Sequence, residues 1–301
     1  MRGEAFCPAH VTGFFKAELD NKKNPELNGS LGAGFSILEG VTTSVRARPK
    51  IKKSDSNFQL TISGYKSENI QVSEFVIKQF LKLVKEEFFV EVHHDISIPV
   101  GYGLGCSGAV ALSLSIALNQ ALHTKLSRTQ VGQIAHNAEI KCQTGLGDVL
   151  GSYHGGFEIR TKAGAPGIGL VQKMDTDSST VILICFSPVS TKQFLTERMS
   201  SINGLGGKMV KKLVESKNCI EFQDMSLKFA NYVNIISPRM KQVINEFQEN
   251  GIKCGVALFG ETIFTLIPTQ MENKVIEILK KYQDGIIIKS KIDNVGARLT
   301  Q

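Results

Sequence analysis

The sequence predicts an α+β chain with two domains. Residues 88–122 have the pattern of a strand, a glycine-rich loop and a buried helix, and the second half runs strand, helices, paired strands, helix, strand. The latter order is the split βαβ arrangement of ferredoxin-like domains. A chain of 301 residues can bury two hydrophobic cores. We place the boundary in the polar run 172–179 and expect domains over 1–175 and 176–301.

Composition restricts the class of protein. The formal net charge is +7, but the basic residues form short clusters without interleaved aromatic residues, and we expect no nucleic-acid partner. No apolar run is long enough to span a membrane, and the N-terminal residues lack a signal-peptide core. The six scattered cysteines contain no CxxC pair, which is typical of reduced thiols. We therefore expect a cytoplasmic protein without a membrane partner.

The N-terminal residues predict strands and turns. Residues 4–20 contain two apolar runs interrupted at Pro8–His10, which indicates a strand, a turn and a strand. The glycine cluster 29–34 precedes another strand-like run and predicts a tight loop that faces a ligand; a plain hairpin turn is the alternative. If the loop faces a ligand, Ser30 can donate to a substrate carboxylate or hydroxyl.

Further along, residues 48–68 predict charged strands joined by a turn at Lys52–Asn57. The apolar period of Ser73–Glu86 predicts a helix. A Ser at the N-cap with a Gln three residues later forms a capping box at 127–130, and the helix it opens should end near Lys141. In the second half, helical patterns cover 207–216, 222–235, 238–250 and 268–282.

The central motif is the glycine-rich segment Pro99–Ala109. Its glycines let the backbone bend sharply and bring N–H groups close to a ligand, and the helix N-terminus that follows favours an anion such as a phosphate. The alternative is a structural turn. We assign phosphate contacts to Pro99, Gly101, Gly103, Leu104, Gly105, Cys106, Ser107 and Gly108.

Several phosphate-binding motifs do not fit this segment. No Lys follows the glycines as in a P-loop, and no second strand with an acidic end follows as in a dinucleotide fold. The pattern PxGxGLGxSGA resembles the ATP loop of the GHMP kinases, with Cys106 in place of the first of two serines. This resemblance implies an N-terminal domain that is ribosomal protein S5 domain 2-like, a ferredoxin-like C-terminal domain, and ATP as phosphoryl donor.

Phosphoryl transfer also needs a magnesium ion and a group that orients or deprotonates the acceptor hydroxyl. Mg²⁺ prefers oxygen ligands and takes only one or two from protein, so we expect Ser107 and Glu139 to hold it. Asp148, on a glycine-flanked turn, is the expected base. The GHMP kinases carry acidic residues in the same order and context. The alternatives are a solvated helix charge for Glu139 and a helix cap for Asp148.

Four segments resemble the archaeal pantoate kinase family: 7–15, 29–34, 144–148 and 164–167. The resemblance implies ATP-dependent phosphorylation of pantoate on the archaeal route to coenzyme A and is compatible with a homodimer. The pantoate carboxylate would need a cation, and we expect Arg160 first, followed by His136 and Ser30. His10 stands where the GHMP kinases carry a base and could bind a substrate anion, or be a histidine satisfied in a turn.

Two other functions remain open from the residues alone. One is another GHMP kinase of the mevalonate or homoserine type, because spacing indicates only a small-molecule kinase. The other is a non-catalytic ligand sensor on the same fold, although a sensor has no need of a base such as Asp148. The segment 255–260, where these kinases have a glycine-rich motif, is poor in glycine, so its role is left open.

Overall fold

The computed structural model of the chain describes residues 1–19, 21, 23–50, 56–67, 70–175 and 179–300. Within these residues, the strands are β1 (Arg2–Glu18), β2 (Gly29–Pro49), β3 (Phe58–Gly64), β4 (Phe88–Ile96), β5 (Phe157–Lys162), β6 (Leu170–Met174), β7 (Ser179–Pro188), β8 (Gly255–Ala257), β9 (Gly260–Pro268), β10 (Ile286–Lys291) and β11 (Arg298–Leu299). The helices are α1 (Gln71–Leu83), α2 (Cys106–Ala121), α3 (Arg128–Cys142), α4 (Asp148–His154), α5 (Thr191–Ser216), α6 (Cys219–Tyr232), α7 (Pro238–Glu249) and α8 (Glu272–Leu279).

The strands form two sheets. The first has the order β11-β1-β2-β4-β3, and β5 extends it by pairing with β2 and with β6. All its pairs are antiparallel except β3 with β4. The second sheet has the antiparallel order β10-β7-β9-β8. This order confirms the ferredoxin-like prediction for the second half, and the mixture of helices and sheets confirms the α+β class.

The end of the chain returns to the first sheet. β11 pairs with β1, and Ile292 forms an isolated bridge to Ile37 on β2. The main-chain N–H of Asp293 donates to the carbonyl of Ser36 at 2.9 Å. The division into 1–175 and 176–301 stays a prediction, and residues 176–178 of the expected boundary lie outside the described part of the chain.

The predicted turn at Pro8–His10 is wrong, because β1 runs through it as one strand. A register shift between Pro8 and Ala9 accommodates the proline, and a second shift follows between Thr12 and Phe14. At the first shift the partner on β2 is Gly40, where a Cβ would lie 2.1 Å from the carbonyl oxygen of Cys7. A β-bulge opposite glycine therefore replaces the turn that a proline usually indicates.

The predicted loop at 29–34 is also wrong, because these residues form the first part of β2. Its glycines make room for buried polar side chains. A Cβ on Gly32 would lie 2.5 Å from Nη2 of Arg160, and one on Gly34 would lie 2.8 Å from Nε2 of His10. The glycine cluster thus marks a close approach inside the sheet.

Other predicted elements are confirmed with shifted limits. The capping box of α3 is present, with Ser127 accepting from the N–H of Gln130. α5 begins at Thr191, well before the predicted 207, because its internal glycines hide the helical period. The turn predicted at Lys52–Asn57 falls largely on residues 51–55, which lie outside the described residues, and β3 pairs with β4 in place of β2. In the described part of the chain, no helix combines the length and apolar character that crossing a membrane requires.

The two sheets share a core of aromatic rings. Phe222 on α6 lies 4.7 Å from Phe157 on β5 and 5.7 Å from Phe264 on β9, measured between ring centroids. Phe35 on β2 contacts Phe264 edge-on at 5.2 Å. Such pairs add about 0.5–1.5 kcal/mol each beyond the burial of apolar area. The rings therefore tie the second half of the chain to the first sheet.

Helix α5 packs against β1 at a glycine, and this contact makes a prediction. A Cβ on Gly206 would lie 1.9 Å from the carbonyl oxygen of Phe15, whereas one on Gly207 would meet only the flexible Lys16 side chain at 3.2 Å. Gly206→Ala should lower the free energy of unfolding by about 1–3 kcal/mol because the helix must shift. Gly207→Ala should leave it unchanged or raise it by up to about 1 kcal/mol. Urea denaturation tests both; equal effects would contradict the contact.

A buried histidine links the first sheet to two helices. His94 on β4 is 1% exposed, with Nδ1 2.8 Å from Oγ1 of Thr43 and Nε2 3.0 Å from Oγ of Ser73 on α1. Thr43 in turn lies 2.7 Å from the hydroxyl of Ser113 on α2. Burial, with a smaller contribution from the neighbouring His93, lowers the pKa of His94 to about 4.

This pKa predicts how stability depends on pH. Because the ordinary pKa of histidine is about 6.5, the unfolded chain binds a proton at position 94 that the folded chain lacks as the pH falls from 6.5 towards 4. Stability is therefore lost on acidification through this window. Between pH 7 and pH 5, the wild type should lose about 2 kcal/mol more free energy of unfolding than His94→Gln. Urea denaturation at the two pH values measures the difference, and parallel losses would rule out a neutral buried His94.

Candidate active site

The glycine-rich segment forms a loop between β4 and α2, as predicted. Gly101, Gly103 and Gly105 have φ values of 87°, 78° and 61°, in the left-handed region that favours glycine. Gly105 is the N-cap of α2, and its lack of a side chain leaves the first turn of the helix without a side-chain cap. The loop therefore brings a helix N-terminus and a bent backbone together, an arrangement that suits an anion.

The second half of the chain fixes the path of this loop. Oγ1 of Thr262 donates to the carbonyl oxygen of Tyr102 at 2.8 Å, and the N–H of Val189 donates to the carbonyl oxygen of Gly101 at 2.9 Å. A Cβ on Gly103 would lie 2.2 Å from the carbonyl oxygen of Leu258. The loop is thus held against the turn that joins β8 to β9.

A cavity of about 490 Å³ opens beside the loop. Its volume lies within the range of small-molecule sites. Of the residues assigned to phosphate contacts, all but Pro99 and Gly108 line it. Its wall combines apolar residues with polar ones that include His94, Thr144 and Asp148. A ligand with an apolar part and an anionic part would match this composition.

Ser107 and Glu139 meet at the start of α2. Oγ of Ser107 donates to Oε1 of Glu139 at 2.6 Å, and Oγ1 of Thr144 donates to the same oxygen at 2.9 Å. Glu139 is 2% exposed. Burial, followed by the charge of Asp148, raises the pKa of Glu139 to about 7, although its hydrogen bonds act in the opposite direction. A nearby cation would restore its ionised form.

The second oxygen of Glu139 provides a test of whether a metal ion fits here. Oε2 is buried and has no hydrogen-bond partner among the described residues. In that part of the chain, no group of three or more His, Cys, Asp and Glu side chains could hold a metal ion by itself. The carboxylate and the Ser107 hydroxyl therefore fit Mg²⁺, which commonly takes one or two protein oxygens and completes its shell with phosphate and water.

Two glycines shape the space around Glu139. A Cβ on Gly145 would lie 2.1 Å from Oε2, and one on Gly108 would lie 3.1 Å from the same atom. Gly145 belongs to the segment between α3 and α4, and Gly108 to the first turn of α2. The Oε2 side of the carboxylate is therefore held in a slot between two glycines, where a side chain would collide with it.

Asp148 is the first residue of α4, with Gly147 as N-cap, in place of the free turn predicted. Its Oδ1 lies 2.9 Å from Nδ1 of His10 and accepts from the hydroxyl of Thr12 at 3.4 Å. The side chain is 13% exposed and reaches the cavity. Burial acts to raise the pKa of Asp148, but the hydrogen bond and charge of His10, and then the charge of Arg160, lower it below its ordinary value. Asp148 is therefore an ionised carboxylate at the cavity wall.

The structure does not bring His10 to the cavity. Its side chain is completely buried behind Asp148, and Nε2 lies 3.1 Å from Oε1 of Glu158. Since both ring nitrogens face carboxylates, neither is open to a substrate anion. Its neighbours from the facing elements are Asp148 on α4, Glu158 and Arg160 on β5, and Glu139 on α3 at longer range.

Ser30 and Arg160 lie together behind Gly147. A Cβ on Gly147 would lie 2.6 Å from Oγ of Ser30 and 2.7 Å from Nε of Arg160. Arg160 is fully buried and forms an ion pair with Glu158, but its Nε has no partner among the described residues. His136 is buried deeper in the same region, with Nε2 3.0 Å from the carbonyl oxygen of Asn28. Burial lowers the pKa of His136 to about 4 despite that hydrogen bond, so its ring is neutral.

Sequence reasoning missed three residues of the cavity wall. Lys192, in the first turn of α5, is the one Lys or Arg among the described residues that line the cavity. Leu258 and Phe259 come from the glycine-poor segment whose role the sequence left open. Phe259 has a φ of 65°, which bulky residues rarely adopt.

Known proteins resemble this chain in sequence and in fold. The family model for the N-terminal domain of the GHMP kinases matches residues 74–156. The pantoate kinase of Thermococcus kodakarensis is 29% identical over 282 aligned residues, covering 91% of this chain and 91% of that protein. The pantoate kinase of Methanocaldococcus jannaschii is 28% identical over 277 aligned residues, covering 91% of this chain and 96% of that protein. A solved phosphotransferase related to the CoA biosynthesis pathway superposes with a TM-score of 0.87 at 25% identity, covering 99% of this chain and 98% of that one.

The fold, the glycine loop and the matching family model make this chain similar to the GHMP kinases. Over nearly its whole length, the sequence is similar to the pantoate kinases.

The slot around Glu139 makes a prediction. Gly145→Ala would push the carboxylate out of place, because the new methyl group would occupy the position next to Oε2. We expect affinity for ATP in the presence of Mg²⁺ to fall about tenfold, the scale of changes around metal ligands, while affinity in EDTA stays the same. Isothermal titration calorimetry measures both. Gly207→Ala, distant from the cavity, is the matched control, and equal losses with and without Mg²⁺ would argue against a metal site at Glu139.

Proposed function

We propose that this protein transfers the γ-phosphoryl group of ATP to the hydroxyl of pantoate. One observation carries the proposal: the glycine loop, Ser107 and the ionised Asp148 all border one cavity, and Glu139 lies directly behind Ser107, whose hydroxyl donates to it at 2.6 Å. These are the parts that phosphoryl transfer to an alcohol requires. Pantoate as acceptor is inferred from the curated pantoate kinases, which align with nearly the whole of this chain.

Each part of the site has a role in this reaction. The loop N–H groups and the start of α2 bind the phosphates, and the apolar residues of the cavity wall contact the nucleoside. Ser107 and Glu139 would hold Mg²⁺, which when bound would neutralise charge on the phosphates. Asp148 orients the acceptor hydroxyl and takes its proton. Lys192 supplies a positive charge at the cavity wall.

The acceptor has a carboxylate, and the region behind Gly147 provides its complement. Arg160 has an Nε–H without a partner among the described residues, next to the hydroxyl of Ser30; both side chains are buried and lie behind the cavity wall, so the acceptor must enter beyond that wall to reach them. A buried N–H without a partner is costly, so a ligand oxygen that reaches it is favoured. His136 is neutral and bound to the main chain, and it contributes to the shape of this region.

The same arguments bear on the alternatives. A mevalonate-type acceptor also has a carboxylate, so substrate choice depends on the shape of the region behind Gly147. A ligand sensor has no use for a carboxylate that His10 keeps ionised at the cavity wall. We further propose that the enzyme works in the cytoplasm, on the route to coenzyme A that its archaeal relatives serve, and that a homodimer is its assembly state.

The test is an acceptor panel. Purified protein is mixed with ATP and Mg²⁺ and with pantoate, pantothenate, mevalonate, homoserine or galactose, and ADP release is measured. Turnover with pantoate alone is expected. Turnover with another acceptor would assign a different kinase, and ATP binding without turnover would favour the sensor.

The role of Asp148 is tested in the same assay. Asp148→Asn keeps the size of the side chain but removes the charge that accepts the proton. Turnover should fall by about 10²–10⁴-fold, the usual contribution of a general base, while ATP binding stays close to that of the wild type. Near-normal turnover of this variant would show that Asp148 is not the base.

A further inference from the structure

A buried acid on β5 stands at the centre of the charges behind the cavity. Glu158 is fully buried, and its Oε1 lies 3.1 Å from Nε2 of His10 and accepts a close hydrogen bond from Nη1 of Arg160. Its Oε2 has no partner among the described residues. A carboxylate in this position must be compensated by its neighbours, because burying an unpaired charge costs much free energy. Of its two neighbours, His10 contacts the proposed base Asp148, and Arg160 belongs to the proposed site for the acceptor carboxylate.

The contacts form a chain that ends at Asp148. The imidazole of His10 bridges the two carboxylates, with Nδ1 2.9 Å from Asp148 and Nε2 3.1 Å from Glu158. Oε1 of Glu158 accepts from Arg160 and Oδ1 of Asp148 accepts from Thr12, so both oxygens act as acceptors. An imidazolium, which donates from both ring nitrogens, is the form of His10 that matches two acceptors. Burial acts to lower the pKa of His10, but the charge of Glu158 and the hydrogen bonds to both acids raise it to about 9.

The fold is shaped around this imidazole. A Cβ on Gly151 of α4 would lie 2.3 Å from Nε2 of His10, and one on Gly34 of β2 would lie 2.8 Å from the same atom. The hydrogen bonds of His10 and Thr12 both go to Oδ1 of Asp148, so they fix one oxygen of the carboxylate. The ring therefore has one position, and that position sets the orientation of the base.

We propose that Glu158 is a positioning residue that holds His10 as an imidazolium against Asp148 and holds the guanidinium of Arg160. This inference rests on the proposed function for the identity of the base and the acceptor. The buried Glu158 carboxylate then fixes the positions of both His10 and Arg160. Through them it determines the orientation of the base and the position of the acceptor carboxylate.

The first test reads His10 directly and needs no substrate. Histidine-ring NMR of the metal-free protein, assigned with His10→Asn, should give a pKa near 9 for His10 in the wild type. In Glu158→Gln it should fall by about 1–3 pH units, because an opposite charge within hydrogen-bond distance is lost. Glu91→Gln, on a half-buried residue of β4 outside the site, is the charge-matched control. A neutral His10 in the wild type at pH 7 would overturn the proposal even if the variant does not fold.

The second test separates positioning from loss of structure. Glu158→Gln should lower kcat by roughly 10- to 100-fold and raise KM for pantoate while KM for ATP stays unchanged. In the double variant with His10→Asn, kcat should be no lower than in His10→Asn alone, since Glu158 acts on the base through the ring. Additive losses, or equal changes in both KM values, would overturn it. If the wild type does not phosphorylate pantoate, the NMR result still decides the arrangement of His10, so the two failures are distinguishable.

Discussion

The active site depends on a backbone contact between the two halves of the chain. The glycine loop crosses the turn between β8 and β9 so closely that neither Gly103 nor Gly260 could carry a side chain. A Cβ on Gly103 would lie 2.2 Å from the carbonyl oxygen of Leu258, and one on Gly260 would lie 2.2 Å from the main chain of Tyr102. The hydrogen bond from Thr262 to Tyr102 fixes the same crossing. The loop, the start of α2 and the cavity wall at Leu258 thus acquire their positions only when the second sheet is in place.

Two carboxylates at this site are driven in opposite directions by their neighbours. Glu139 is buried beside the charge of Asp148 and has only hydroxyl donors, so its pKa rises to about 7. Asp148 is paired with His10 and lies near Arg160, so its pKa falls below the ordinary value. Separated pKa values of this kind are how one site assigns different roles to chemically similar groups. One acid is ready to receive a cation, and the other stays ionised at the cavity wall.

The sequence allowed those features to be predicted that arise within short segments. The capping box of α3, the strand–loop–helix unit and the order of Ser107, Glu139 and Asp148 are local patterns. The continuous β1 and β2 were missed because Pro8 and the glycines at 29–34 usually indicate turns, and only the opposite strand shows that a bulge and close approaches use them here. Glu158 was missed because its role depends on His10, more than a hundred residues away in the chain. Lys192 was missed because its role depends on the cavity that it borders, and neither residue belongs to a recognisable motif.

The glycines of the first sheet explain how so much charge can be buried beside the reaction site. His10, Glu158 and Arg160 are fully buried, and an uncompensated charge there would strongly destabilise the fold. Gly32 leaves space for Arg160 on β5, and Gly34 leaves space for His10 on β1, so that each cation reaches Glu158. The group is then tolerated because its charges compensate one another at short range. It follows that a substitution which removes one member should affect stability and catalysis together, whereas a substitution at the exposed wall of the cavity should affect catalysis alone.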